Sequence, residues 1–172
     1  MLNRLPERLD VFRLAERGSE VRGFVPIASM DRLAPLLAAA PEQAEVWLVF
    51  GFDDEKVVTV TGQVRAKLLL VCQRCLGTVA ACVDEAVSLG VARDYQRAQH
   101  IPDRYDPLLL DDGDLWLSRL VEDELLLAVP QVPMHGPGLC AMPLHADVTE
   151  PGKAKSESPF SVLAGLKQDR QD

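Results

Sequence analysis

From Ala44 to Ala92 the sequence alternates apolar and polar residues through three stretches, broken only by Asp53-Asp54-Glu55-Lys56 and by Cys72-Gln73-Arg74-Cys75-Leu76-Gly77. A period of two puts alternate side chains on opposite faces of a strand. Val46, Leu48, Phe50 and Phe52 mark the first strand. Val58, Val60, Val64, Ala66, Leu68 and Leu70 mark the second, and the run from Thr78 to Ala92 marks the third. Strands joined by short turns pair antiparallel, so this region is predicted to be a meander with the thiol pair at a hairpin-like turn. Trp47 on the first strand and Cys82 on the third are expected to pack in the core.

The flanks read as mixed α and β structure. Asp10 is placed to cap a short helix with Val11, Leu14 and Ala15 on its apolar face and Gly18 past its end; residues 20–27 follow as a strand. A second helix is expected after Ser29 or Asp31, carrying Leu33, Leu36 and Leu37, with Pro35 in its first turn and Pro41 closing it. Residues 93–106 read as a loop and 107–110 as an edge strand. A helix capped by Asp114 carries Leu117, Leu120, Val121, Leu125 and Ala128 to a stop at Pro130. Trp116 is expected on its packed face and Glu122-Asp123-Glu124 on its solvated face. The fold class is thus α+β: an antiparallel β-meander or partly open barrel with short N-terminal helices and one central helix near 114–128. Residues 1–130 are expected to form a single domain. Residues 131–172 read as an extended Pro/Gly-rich segment ending in a short helix from Pro159 through Leu166.

Charge narrows the partners. The formal net charge is -8, which disfavours a protein that coats nucleic acid, since such binding is driven by Lys and Arg releasing counterions. Residues 1–100 carry 12 Lys+Arg against 13 Asp+Glu, whereas residues 101–172 carry 6 against 13. An RNA contact is therefore expected from the first half, where Arg4, Arg8, Arg13, Arg17 and Arg22 recur; interleaved acids make an ion-paired surface the competing reading. The acidic second half suits a basic protein partner. No apolar run is long enough to span a bilayer, and the first residues are charged, so a cytoplasmic location without a membrane partner is expected.

Chemistry centres on the cysteines. Four in a chain of this length are too few for a disulfide scaffold. A Cys-x-x-Cys pair can ligate Zn²⁺, cycle as a redox disulfide, or pack as small hydrophobic thiols. Redox use expects the pair at a helix N-terminus, and here strand leads to strand. Zinc needs two more ligands, and His135-Gly136-Pro137-Gly138-Leu139-Cys140 offers His135 and Cys140, with His145 nearby; Gly and Pro between ligands let the backbone wrap an ion. The two halves are separated by 59 residues, which is no compact finger, so Cys72, Cys75, His135 and Cys140 are candidate zinc ligands beside the reading of free thiols. Glycine-rich phosphate loops, nucleophile elbows and His-Glu-x-x-His motifs are absent, and His100 reads as an exposed loop histidine.

Four segments, in order, carry a resemblance: Val71–Leu76; Tyr105–Leu108; Val121–Pro130 followed by Pro133, His135 and Cys140; and Pro159–Lys167. Together they are similar to the YceD family. That resemblance implies a non-catalytic factor in synthesis, processing or accumulation of 23S ribosomal RNA and in assembly of the large ribosomal subunit. Its implied partner is a ribosomal RNA precursor or a basic large-subunit ribosomal protein. Many relatives carry more cysteines in the second half, which suggests a four-ligand metal site; here His135 and Cys140 occupy the matching positions and other cysteines are missing. The competing readings are a metal-dependent RNA-processing enzyme and a thiol-redox regulator.

Overall fold

The computed structural model describes residues 3–39 and 43–140. Its backbone runs β1 (Arg8–Asp10), α1 (Val11–Glu16), β2 (Glu20–Pro26), β3 (Leu37–Ala39), β4 (Gln43–Phe52), β5 (Val58–Val71), β6 (Thr78–Ala92), α2 (Tyr95–Ala98), β7 (Asp106–Leu109), β8 (Asp114–Trp116) and α3 (Leu117–Ala128). Strands dominate. One sheet has the order β2-β4-β5-β6-β7, with β3 paired to the far half of β5, and a small second sheet joins β1 to β8. Both sheets are open rather than closed into a barrel.

The meander forms as the alternation predicts. In β4, Ala44, Val46, Leu48 and Phe50 are buried while Glu45 and Trp47 face outward. The β5–β6 hairpin pairs without a break from Val58↔Val91 to Val71↔Thr78. Its inner face carries Val60, Val64, Leu68 and Leu70, and α3 lays Leu117, Val121 and Leu125 over the same side. Those three residues sit at helical spacing and form the stripe that drives α3 onto the sheet. Asp10 caps α1 by accepting from the Arg13 N–H at 3.0 Å.

Several expectations are corrected. Residues 31–39 form no α-helix: Pro35 supplies no N–H donor, and the chain makes only 3-10 turns at Ile27–Ser29 and Ala34–Leu36 before β3 pairs with Leu69 and Leu70. The helix α3 starts at Leu117 rather than at an Asp114 cap, because Asp114–Trp116 pairs with β1 first. The edge strand β7 runs parallel to β6, so the sheet is mixed; the α2 segment supplies the crossover, inside what reads as a loop. Trp47 and Trp116 are 42% and 40% exposed, not core. Cys82 is exposed as well, because it shares the phase of Ala80 and Asp84 and opposes that of Val83 and Val87.

The acidic trio is the largest correction. Glu122 is buried, and its carboxylate accepts from the backbone N–H groups of Arg32 (2.6 Å) and Leu33 (3.1 Å) and from the Arg32 guanidinium (2.9 and 3.1 Å). It gives partners to donors that the turn at 31–33 leaves without secondary structure. Burial pushes the Glu122 carboxyl up, but Arg32 and the two N–H groups outweigh this and hold it below the ordinary carboxylate range. Among the described residues no helix is long and apolar enough to cross a membrane. The expected terminal helix from Pro159 lies outside the described residues.

Candidate metal centre

At the far tip of the β5–β6 hairpin the inward phase of β5 continues from Leu68 and Leu70 to Cys72. Cys72 is therefore fully buried. The turn closes tightly. The Cys72 N–H donates to the Gly77 carbonyl at 2.8 Å and the Leu76 N–H to the Cys72 carbonyl at 2.9 Å, with Leu76 in the left-handed region at φ 59°. This curl brings the N–H groups of Arg74 and Cys75 to the Cys72 sulfur.

The second half of the site arrives from α3. Beyond Pro130 the chain returns to the tip, where the Gln73 N–H donates to the Pro133 carbonyl at 2.9 Å. Arg74 reaches across to the carbonyls of His135 and Gly136 at 3.2 and 3.4 Å. Gly138, at φ 76°, lets the loop bend back so that Cys140 meets the first pair.

These two loops bring Cys72, Cys75, His135 and Cys140 together, with all four ligand atoms within 4.8 Å of one another. The Cys72 and Cys140 sulfurs lie 3.7 Å apart, and His135 Nδ1 lies 3.5 Å from the Cys75 sulfur and 3.8 Å from that of Cys140. A tetrahedral zinc ion with ordinary bond lengths needs sulfurs about 3.8 Å apart and sulfur to nitrogen about 3.5 Å. The donors fit such an ion. The histidine is also oriented for it: Nε2 lies 3.0 Å from the Thr78 carbonyl, and an Nε2–H donated there leaves the Nδ1 lone pair facing the sulfurs.

The electrostatics favour thiolates at Cys72 and Cys140 but not at Cys75. Burial pushes the Cys72 thiol up, yet the N–H groups of Cys75, His135 and Arg74 and the His135 ring bring it down to about 5. Arg74 lowers the Cys140 thiol, whose proximity in turn raises the His135 imidazole and the Cys75 thiol. Sequence reasoning missed Arg74, which bridges the two loops. Its place inside the Cys-x-x-Cys pair is the only signal available, because the acceptors are backbone carbonyls.

The five arginines are spread over the N-terminal segment, β1, α1 with its C-cap, and β2. Arg4 pairs with Glu7 (3.6 Å), and Arg8 pairs with Asp114 (2.6 Å) while covering the Trp116 ring at 4.8 Å. Arg13 lies on α1 and Arg17 just past its end, while Arg22 is on the outer sheet face opposite Trp47. His100 is exposed, its Nδ1 2.7 Å from the Gln96 carbonyl, and His145 lies outside the described residues.

Residues 60–167 match the sequence model of a family described as large ribosomal RNA subunit accumulation protein YceD. The chain is also similar to a Haemophilus influenzae protein of that name, with 31% identity over 169 residues that cover 96% of this chain and 97% of the relative. No solved structure matches it. All but the first two residues of the strand leading to the thiol turn, that turn, the acidic helix and the second ligand loop fall within the matched residues, and the chain belongs to the YceD family.

Proposed function

We propose that this protein is a non-catalytic factor that supports accumulation of 23S ribosomal RNA and assembly of the large ribosomal subunit. The observation that carries the reading is the end-to-end similarity to a relative named for that role. In this reading Cys72, Cys75, His135 and Cys140 hold Zn²⁺ and tie the hairpin tip to the loop after α3. When bound, the ion supplies a cross-link between two segments that have little apolar surface to bury. Four protein donors fill a tetrahedral set, which favours a structural centre over a processing enzyme that would keep a position for water. The strand-to-strand setting of the thiols likewise weighs against a redox switch.

The partner is the ribosomal RNA precursor or a basic large-subunit ribosomal protein. The charge of the second half, 6 Lys+Arg against 13 Asp+Glu over residues 101–172, favours a basic protein as its partner.

Deletion of the gene in its host, followed by measurement of the 23S to 16S ribosomal RNA ratio, tests the role. The ratio is expected to fall and to recover with the wild-type chain; an unchanged ratio on deletion overturns the reading. Elemental analysis of the purified chain tests the metal, with about one zinc per chain expected and its absence from protein purified without chelator overturning that assignment.

A further inference from the structure

A cleft of about 660 Å³ opens on the side of the molecule where α1, the β4–β5 turn and the end of β6 meet α2. Its walls include Phe12, Val57, Val91 and Ile101, and its rim carries Lys56, Arg93 and Arg97. The Ile101 side chain sits where a Cβ on Gly90 would collide with it, so the α2 segment is packed directly onto the sheet there.

Charge pairing inside the cleft is uneven. Its two carboxylates are already matched: Asp94 lies 3.4 Å from Arg97 and also accepts from that residue's N–H, and Glu55 lies 2.8 Å from Arg104. Lys56 and Arg93 have no carboxylate within 4.0 Å among the described residues. The Arg93 guanidinium lies over the Phe12 ring, 3.9 Å from its centroid. A guanidinium held flat on a ring keeps its in-plane N–H groups for a phosphate and its outer face for a nucleobase. Lys56 stands at the turn in the left-handed region, at φ 63°.

The exposed Trp47 on the sheet face is the rival platform. There the indole N–H is tied to Glu20 at 2.7 Å, Arg65 is tied to Asp84 at 3.0 Å, and Glu45 sits between them. With Glu20 and Glu45 set against Arg22 and Arg65, that surface offers phosphate no excess of positive charge, whereas the Phe12–Arg93 cleft has cations to spare in a chain of net charge -8.

We propose that this cleft binds single-stranded RNA, one base stacking on the outer face of Arg93 and the adjoining phosphates meeting Arg93 and Lys56. The proposal rests on the ribosomal RNA role for its biological meaning but locates a contact that the four-ligand centre does not provide.

The test is fluorescence-anisotropy binding of the full chain to a labelled 12-nucleotide single-stranded RNA from the large-subunit sequence, over a salt series. Arg93→Ala is expected to weaken binding at least about tenfold. Lys56→Asn should lower the salt slope by about 0.7 for the phosphate contact it loses. Arg93→Lys, which keeps charge and loses the flat stack, should fall between wild type and Arg93→Ala; it serves as the readout should the alanine variant melt early. Trp47→Ala should bind as wild type does. Wild-type affinity in the Arg93 variants, loss in Trp47→Ala, or no binding by the wild-type chain at low salt overturns the cleft. The cellular ratio of 23S to 16S RNA separates the two readings: wild-type complementation with no effect of Arg93→Ala sinks the cleft alone, whereas failure of deletion to change the ratio sinks the role.

Discussion

The same two strands, β5 and β6, are held in two different ways along their length. Near Val58 to Val60 the hairpin lies between β4 and β7, helices pack on the sheet, and Phe50, Val60, Val64 and Leu125 are fully buried. Toward Val71 and Thr78 only β3 accompanies it, and the turn exposes Leu76 and, on the facing loop, Leu139. At the first end stability comes from removing apolar area from water. At the second, where a short turn meets a Pro/Gly-rich loop, the contacts are those of Cys72, Cys75, His135 and Cys140, which could hold a metal ion, and of the Arg74 clamp. The difference teaches that one sheet can join an end held by its apolar core to an end where two loops meet through thiols, a histidine and an arginine.

Phe50→Ala should have the largest effect on the body, about 3–5 kcal/mol in urea unfolding. Metal content per folded chain should not change; its loss in an intact body would mean that the two ends are one cooperative unit.

Cys75→Ser acts at the other end. Metal content should fall from about one per chain to almost none. In hydrogen exchange the amides of Gln73, Leu76 and Leu139 should lose protection while those of Val60 and Val64 keep theirs. Equal loss along both strands would erase the distinction between the ends.

Glu122→Gln should destabilise the body by about 1–3 kcal/mol at neutral pH, since donors from Arg32 and Leu33 lose a charged acceptor. The folded carboxyl titrates lower than the unfolded one, so its contribution is fully present above the unfolded value of about 4.3 and is lost as pH falls through the folded value. The gap between wild type and variant, followed by thermal melts, should therefore hold above about pH 5 and shrink below about pH 4. A gap that grows in acid would contradict the arrangement.

The smallest effect is a gain. Leu76→Gly removes a side chain from a left-handed position and should slow exchange at the tip by the equivalent of at most about 1 kcal/mol, with metal content unchanged.

The strands of the body were readable because each alternates over many residues, and the thiol pair with its Gly/Pro partner loop was readable because ligand types cluster. Other features were set by distant partners. Glu122 reads as surface until the turn at Arg32 and Leu33 is seen to need an acceptor. Leu33, Leu36 and Leu37 suggest a helix until Pro35 and pairing with β5 decide otherwise. Cys82 was misplaced although its phase was in the sequence: counting by twos from Val83 and Val87 puts it outside.

That parity reaches further. Val64, Leu68, Leu70 and Cys72 share one face of β5, so the sheet acts as a ruler that delivers a sulfur inward at its last mark. Between the core and the tip the strand tolerates changes in length only in even steps, and only if β6 changes with it. A single inserted residue would leave every ligand in the chain and still turn Cys72 out toward water, on the side of Arg65 and Lys67.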